Sequence, residues 1–287
     1  MTRANILDGI PALRAWRRAL RAGETVGFVP TMGALHDGHL ELVRRAREQC
    51  DHVAVSVFVN PTQFGPQEDL DTYPRDRDGD AAQTAEAGAD LTWFTTADEM
   101  YPAGFATDVR LPRLGERLCG IERPRHFPGV ALVVLKLFHL FEPTHAFFGE
   151  KDYQQSVLVR RMVTDLNLEI SVETISVVRE ENGLARSSRN EGLSPAGRAA
   201  AGGLSRGLFA ARDACASGEA RAPALLEIAL AEMGDRVIQL EYLELIDRDT
   251  LEPIEAVPAA GARLLVAARV DGVRLIDNVA LEPGAAR

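Results

Sequence analysis

Two histidines flank an aspartate and a glycine in the run His36, Asp37, Gly38, His39. It lies between an apolar segment, residues 26–29, that reads as a buried strand and an amphipathic segment, residues 40–49, that reads as a helix. A helix N-terminus presents unsatisfied backbone N–H groups and a partial positive charge, so imidazole donors placed beside it make a site suited to phosphate. A lone histidine at a helix start is ordinarily a cap or a surface residue. A pair around a glycine, directly after a strand, points instead to chemistry on an anion. A second strand-to-helix turn carries Gly149, Glu150, Lys151 and Asp152 between apolar residues 146–148 and an amphipathic run, residues 153–166. A lysine at a helix start opposes the helix dipole unless it faces an anion.

The elements that must position these turns alternate along the chain. Helix signals begin at Pro11 and recur at residues 40–49, 80–87, 130–141 and 153–166. Strand signals fall at residues 26–29, 53–59, 91–94, 146–148 and 170–178. Such alternation predicts a parallel sheet with helices on both faces, a Rossmann-like doubly wound α/β domain over residues 1–178 whose ligands bind at the carboxyl ends of the strands. Gly88 supplies one helix stop. A polar hinge loop, residues 179–194, leads to a smaller α+β domain over residues 179–287. Its first helix has Ser194 as N-cap and Pro195 at N1. A strand is expected at residues 238–246, and Asp271-Gly272 between apolar runs 263–270 and 273–276 signals a tight hairpin.

At 287 residues the chain is long enough for one large and one small domain. A formal net charge of −10 argues against nucleic acid or an anionic membrane as the main partner. The three cysteines, Cys50, Cys119 and Cys215, lack CxxC or Cys/His spacing, which implies reduced thiols, a cytoplasmic setting and neither a disulfide nor a zinc framework. The N-terminus has no apolar core of signal-peptide length, and the most apolar run, residues 130–140, is interrupted by Lys136 and His139 and falls short of a membrane span.

The stretch PTMGALHDGH from Pro30 to His39 resembles the pantoate–β-alanine ligase family of the HxGH nucleotidyl-transferase superfamily. SVFVNPTQFGPQEDLDTYPRD, RPRHFPGV, FFGEKDYQQ and SSRN support the same resemblance across residues 23–190. It implies ATP-dependent condensation of pantoate with β-alanine through a pantoyl-adenylate, giving pantothenate, AMP and diphosphate. By the same resemblance Met32, Gly33, Ala34, Leu35, His36, Asp37, Gly38 and His39 bind ATP, as do Gly149, Glu150, Lys151, Asp152, Val178, Arg186, Ser187, Ser188 and Arg189. His39, His36 and Lys151 act on the phosphates, while Gln63, Gln155 and Asn60 hold pantoate and β-alanine. ATP enters as MgATP, with Mg²⁺ carried on the phosphates and neither a protein metal site nor a tightly bound cofactor. The family further implies a homodimer.

Two residues depart from the family pattern: Arg125 stands where glycine is usual and Arg186 where methionine is usual. His126, between Pro124 and Pro128, reads as part of a loop without a catalytic role, His52, His139 and His145 as structural, and the acidic segment 69–80 as a solvated loop. Two rival readings are another HxGH nucleotidyl-transferase with a phosphorylated substrate, which would call for basic residues near Gln63, and a nucleotide-binding sensor, suggested by Arg125 and Arg186.

Overall fold

In the computed structural model, which describes residues 5–66, 68, 70–234 and 239–284, the apolar segments of the first half pair into a six-stranded sheet of order β1-β4-β3-β2-β5-β6. The strands are β1 (Asn5–Asp8), β2 (Val26–Thr31), β3 (His52–Val57), β4 (Leu91–Phe94), β5 (His145–Gly149) and β6 (Ser171–Ile175). Every pairing among them is parallel. The helices are α1 (Gly9–Ala19), α2 (Asp37–Gln49), α3 (Arg77–Ala87), α4 (Ala97–Met100), α5 (Pro112–Gly115), α6 (Cys119–Glu122), α7 (His126–Phe141) and α8 (Tyr153–Asp165). β3 and β4 are buried along nearly their whole length because helices cover both faces. Phe28, Phe141 and Trp93 meet in the core: the phenylalanine rings stack at 4.2 Å and Trp93 stands edge-on to Phe141 at 5.5 Å.

The second half builds α9 (Pro195–Ala216), α10 (Ala222–Met233) and an antiparallel sheet of β7 (Gln239–Ile246), β8 (Ala262–Val270) and β9 (Val273–Leu281). Leu204, Leu208, Leu225, Leu264 and Val266 share its core. Asp271 and Gly272 join β8 to β9 with φ of 52° and 79°, the pair of left-handed residues that a type I′ turn demands. The α/β class with a smaller α+β part is therefore as the sequence implied. By packing, one compact unit comprises the chain to Glu150 plus Gln154–Ser176. The other comprises Lys151–Tyr153 plus the chain from Val177 onward.

Several boundaries differ from the sequence reading. β1 is an additional edge strand paired to β4. β6 ends at Ile175, so Val178 does not end a strand; its carbonyl accepts from the backbone N–H of Arg186. His126 opens α7 rather than sitting in a loop, because Pro128 falls in the first turn, where its missing N–H has no intrahelical partner to lose. His139 is exposed on α7 and bonds only the Leu135 carbonyl of its own helix among the contacts seen. Asp80, in contrast to its expected solvated loop, is buried in the first turn of α3. Ile238 and Asp69, the first residues of two expected segments, lie outside the described residues.

Candidate active site

The order of the sheet reverses beside β2. The chain runs from β2 to β3 and β4 on one side and later returns to β5 on the other, so the carboxyl ends of β2 and β5 flank a topological switch point, where open α/β sheets form their ligand crevice. The turn after β2 carries residues 32–36, and Gly149 ends β5 with Glu150 opening the turn after it.

His36 is the N-cap of α2: its Nδ1 accepts from the Gly38 N–H at 3.1 Å, and His39 Nδ1 accepts from the His36 N–H at 3.4 Å. This is a capping box made of imidazoles in place of the usual hydroxyl and carboxylate. With Nδ1 used as acceptor in both rings, the neutral tautomer places the proton on Nε2, so each ring offers an N–H donor there. The rings stack at 4.0 Å with 29° between their planes, which aligns the two edges.

The loop leading into this cap is pinned. Asp80 is 2 % exposed, and its two carboxylate oxygens accept from consecutive backbone amides, Ala34 N at 3.2 Å and Leu35 N at 3.0 Å. Burial raises the Asp80 pKa above the ordinary carboxylate value, and the two amide bonds only partly counter it. Gly33 has φ of 83°, and a Cβ there would stand 2.7 Å from Asp80 Oδ2 and 3.0 Å from Val57, so only glycine fits. Ala34 is also left-handed, with φ of 51°. Thr31 Oγ1 bonds the Ser56 carbonyl at 2.8 Å and ties the end of β2 to β3.

At the end of β3, Asn60 caps a 3₁₀ turn, Pro61–Gln63. Asn60 Oδ1 accepts from Tyr101 Oη at 2.8 Å and from Thr62 Oγ1 at 2.9 Å; its Nδ2 donates to Gln63 Oε1 at 3.0 Å and to the Gly129 carbonyl at 3.2 Å. That polarity turns Gln63 Nε2, a donor, toward Met32, whose Sδ lies 3.1 Å away. α7 approaches this turn so closely that a Cβ on Gly129 would sit 2.6 Å from the backbone of Thr62 and Gln63. On α8 the adjacent glutamines divide their tasks. Gln154 is buried and clasps the carbonyls of Leu114 and Arg117, each at 2.8 Å, while Gln155 is half-buried in the same first turn.

The second unit holds the remaining residues. Lys151 and Asp152 form an ion pair at 3.6 Å. Glu180 accepts from both Arg198 and Asn190, and Ser187 caps a 3₁₀ turn, Ser188–Gly192, so the polar stretch that reads as a hinge is held by side-chain bonds. Arg186, Ser187, Ser188 and Arg189 are half-buried along it.

Asp80 and Tyr101 were not among the residues singled out from the sequence. Neither carries a local signal, since the hydrogen-bond partners of these side chains lie 39 to 46 positions away.

The whole chain has close counterparts. The Pantoate-beta-alanine ligase family profile matches residues 5–280. Pantothenate synthetase from Pelotomaculum thermopropionicum is 46% identical over 96% of this chain and 98% of its own length. Pantothenate synthetase 1 from Bradyrhizobium diazoefficiens is 50% identical over 92% and 95%. Among solved structures, pantothenate synthetase from Thermus thermophilus superposes with a TM-score of 0.92 at 46% identity, covering 97% of this chain and all of that one. Pantoate-beta-alanine ligase from Francisella tularensis, described as complexed with beta-gamma ATP and beta-alanine, superposes at 0.81 with 30% identity, covering 99% of this chain and 100% of that one. A doubly wound sheet with a histidine-capped helix at its switch point, matched from one end to the other by these relatives, makes the chain a member of the pantoate–β-alanine ligase family.

Proposed function

We infer that the chain condenses (R)-pantoate with β-alanine at the expense of ATP. The pantoate carboxylate attacks the α-phosphorus of ATP, forming an acyl–O–P bond as the bond to the β-phosphate oxygen breaks and diphosphate leaves. The β-alanine amine then attacks the acyl carbon, AMP departs with the bonding pair, and the amine loses a proton to give pantothenate. Family membership supports the reaction, and the observation that carries the site assignment is the pair of Nδ1-accepting histidines at the start of α2.

In this reading His39 and His36 donate from Nε2 to oxygens on the α-phosphate, where negative charge grows in the transition state. Met32, Gly33, Ala34 and Leu35 meet the nucleotide along their backbone, and the start of α2, Asp37 and Gly38 included, turns the positive end of the helix dipole to the phosphates. Lys151 neutralises phosphate charge, with Gly149, Glu150 and Asp152 in its turn. Val178 meets the nucleotide through its backbone, and Arg186, Ser187, Ser188 and Arg189 serve the β- and γ-phosphates. Gln63 Nε2 and Gln155 hold pantoate, with Asn60 fixing the amide polarity of Gln63. Magnesium enters as MgATP, its hard oxygen ligands being those of the phosphates. The enzyme works as a cytoplasmic homodimer. No described helix is long and apolar enough to cross a membrane.

The test is a mixture of ATP, pantoate and β-alanine analysed by mass for pantothenate and AMP, beside exchange of labelled diphosphate into ATP with pantoate alone. Exchange without β-alanine supports a free acyl-adenylate. An absolute need for β-alanine in the exchange would exclude that order.

A further inference from the structure

We propose that Asn278, on β9, is a positioning residue for Lys151, holding by its backbone the turn from which that lysine reaches phosphate. The proposal rests on the reading of Lys151 as a phosphate ligand. The residues Lys151–Tyr153 pack with the second unit although the chain on either side of them belongs to the first. Asn278 is buried, and its Nδ2 donates to the Lys151 carbonyl at 3.0 Å. Its other amide atom is committed as well: Asn278 Oδ1 accepts from Arg263 Nε at 2.7 Å, which fixes the amide so that its donor faces Lys151. Arg263 is itself buried, and its guanidinium lies 4.4 Å over the ring of Tyr153, whose hydroxyl donates to the Arg248 carbonyl at 2.8 Å. The three-residue turn is thereby gripped at both ends. On the same strand, next to Asn278, Asp277 accepts from Arg179 on both oxygens at 2.6 and 2.9 Å, and its Oδ1 accepts from the Asn278 N–H at 2.7 Å.

β9 does not need this side chain to hold its place. Its backbone pairs with β8 without interruption from Val273 to Leu281. A displaced carbonyl at Lys151 moves the ammonium with it, and a misplacement of about 1 Å in a catalytic group is enough to lose a factor of about 100.

The experiment is a double-mutant cycle on the full chain, read as single-turnover formation of the acyl-adenylate. Asn278→Ala should slow this step about tenfold or more while the KM for pantoate changes less than about twofold. Asn278→Asp keeps the volume and gives Arg263 a carboxylate, so the fold is retained, but it removes the donor and should slow the step at least as much. In a Lys151→Ala background both changes should have almost no further effect. Near wild-type rates in Lys151→Ala alone would overturn the reading of Lys151 itself. A slow Lys151→Ala combined with multiplicative losses from Asn278, or with no loss from Asn278 alone, would overturn the positioning role and leave that reading standing.

Discussion

Replacing Asp80 by Asn separates fold stability from catalytic order. The carboxylate accepts two backbone N–H groups, from Ala34 and Leu35, with one oxygen each. An amide of the same shape keeps one acceptor and turns its NH₂ group toward the other backbone donor. The loss is one charge-assisted bond, about 1.5–3 kcal/mol, with a buried N–H left facing a donor. Against this, the buried carboxylate is ionised at a penalty, as its raised pKa records, and asparagine removes that penalty. The two effects oppose each other in global stability but not in the loop. The loop keeps only one of its two bonds whichever effect wins, and 1.4 kcal/mol of loop ordering is about tenfold in an equilibrium constant. The expected result is a fall of about 10- to 100-fold in kcat/KM for ATP, with a change of only a few degrees in Tm. The pH dependence has a definite sign. Because the folded-state pKa of Asp80 lies above its unfolded value, the native state holds the extra proton between the two. The carboxyl's contribution to stability is greatest below the unfolded value and declines as pH rises through the folded one. Wild-type stability relative to Asp80→Asn should therefore be greatest at pH below the unfolded carboxylate value and diminish as pH rises through the raised, folded one. Diphosphate exchange against ATP concentration and thermal melts across pH measure both. Unaltered ATP kinetics in a folded Asp80→Asn protein would refute the pinning argument.

His39→Ala should leave melting nearly unchanged and slow adenylation about 100-fold, the scale of losing one donor to developing charge, as read by single-turnover formation of AMP-linked product. Gly129→Ala must push α7 away from the backbone of Thr62 and Gln63, so a loss of about 1–3 kcal/mol in denaturant unfolding should come with a larger rise in KM for pantoate than for ATP. Arg186→Met leaves the backbone bond to Val178 intact, so titration calorimetry should find ATP binding preserved. Abolished binding would instead make the guanidinium an essential phosphate ligand.

What the sequence showed clearly was whatever depends on near neighbours. The strand at residues 91–94, the Ser194 cap and the Asp271-Gly272 turn are each set by a few consecutive residues, and the structure has all three. β1 was not legible because Asn5–Asp8 is mostly exposed and has no apolar alternation; its pairing to residues 91–94 is what makes it a strand. The apolar run 170–178 looks like one strand, yet hydrogen bonding to β5 stops at Ile175 and Val178 bonds Arg186 instead. Asp80 resembles its solvated neighbours in composition, and only the fold reveals that two amides some 45 residues earlier converge on it. The C-terminal third carries a hairpin signal but no family signature, although Asn278 and Arg263 grip the turn that contains Lys151.

The chain passes between its two compact units three times, after Glu150, after Tyr153 and after Ser176. No single cut can therefore yield two complete pieces. A chimera with its crossover near residue 178 would join the Lys151–Tyr153 turn of one parent to the Arg248, Arg263 and Asn278 of the other. Heredity has to treat these positions, scattered over more than a hundred residues, as one linked group: a change in the short turn is acceptable only when the distant partners suit it, and the small unit can be exchanged between relatives only if the Lys151–Tyr153 turn travels with it.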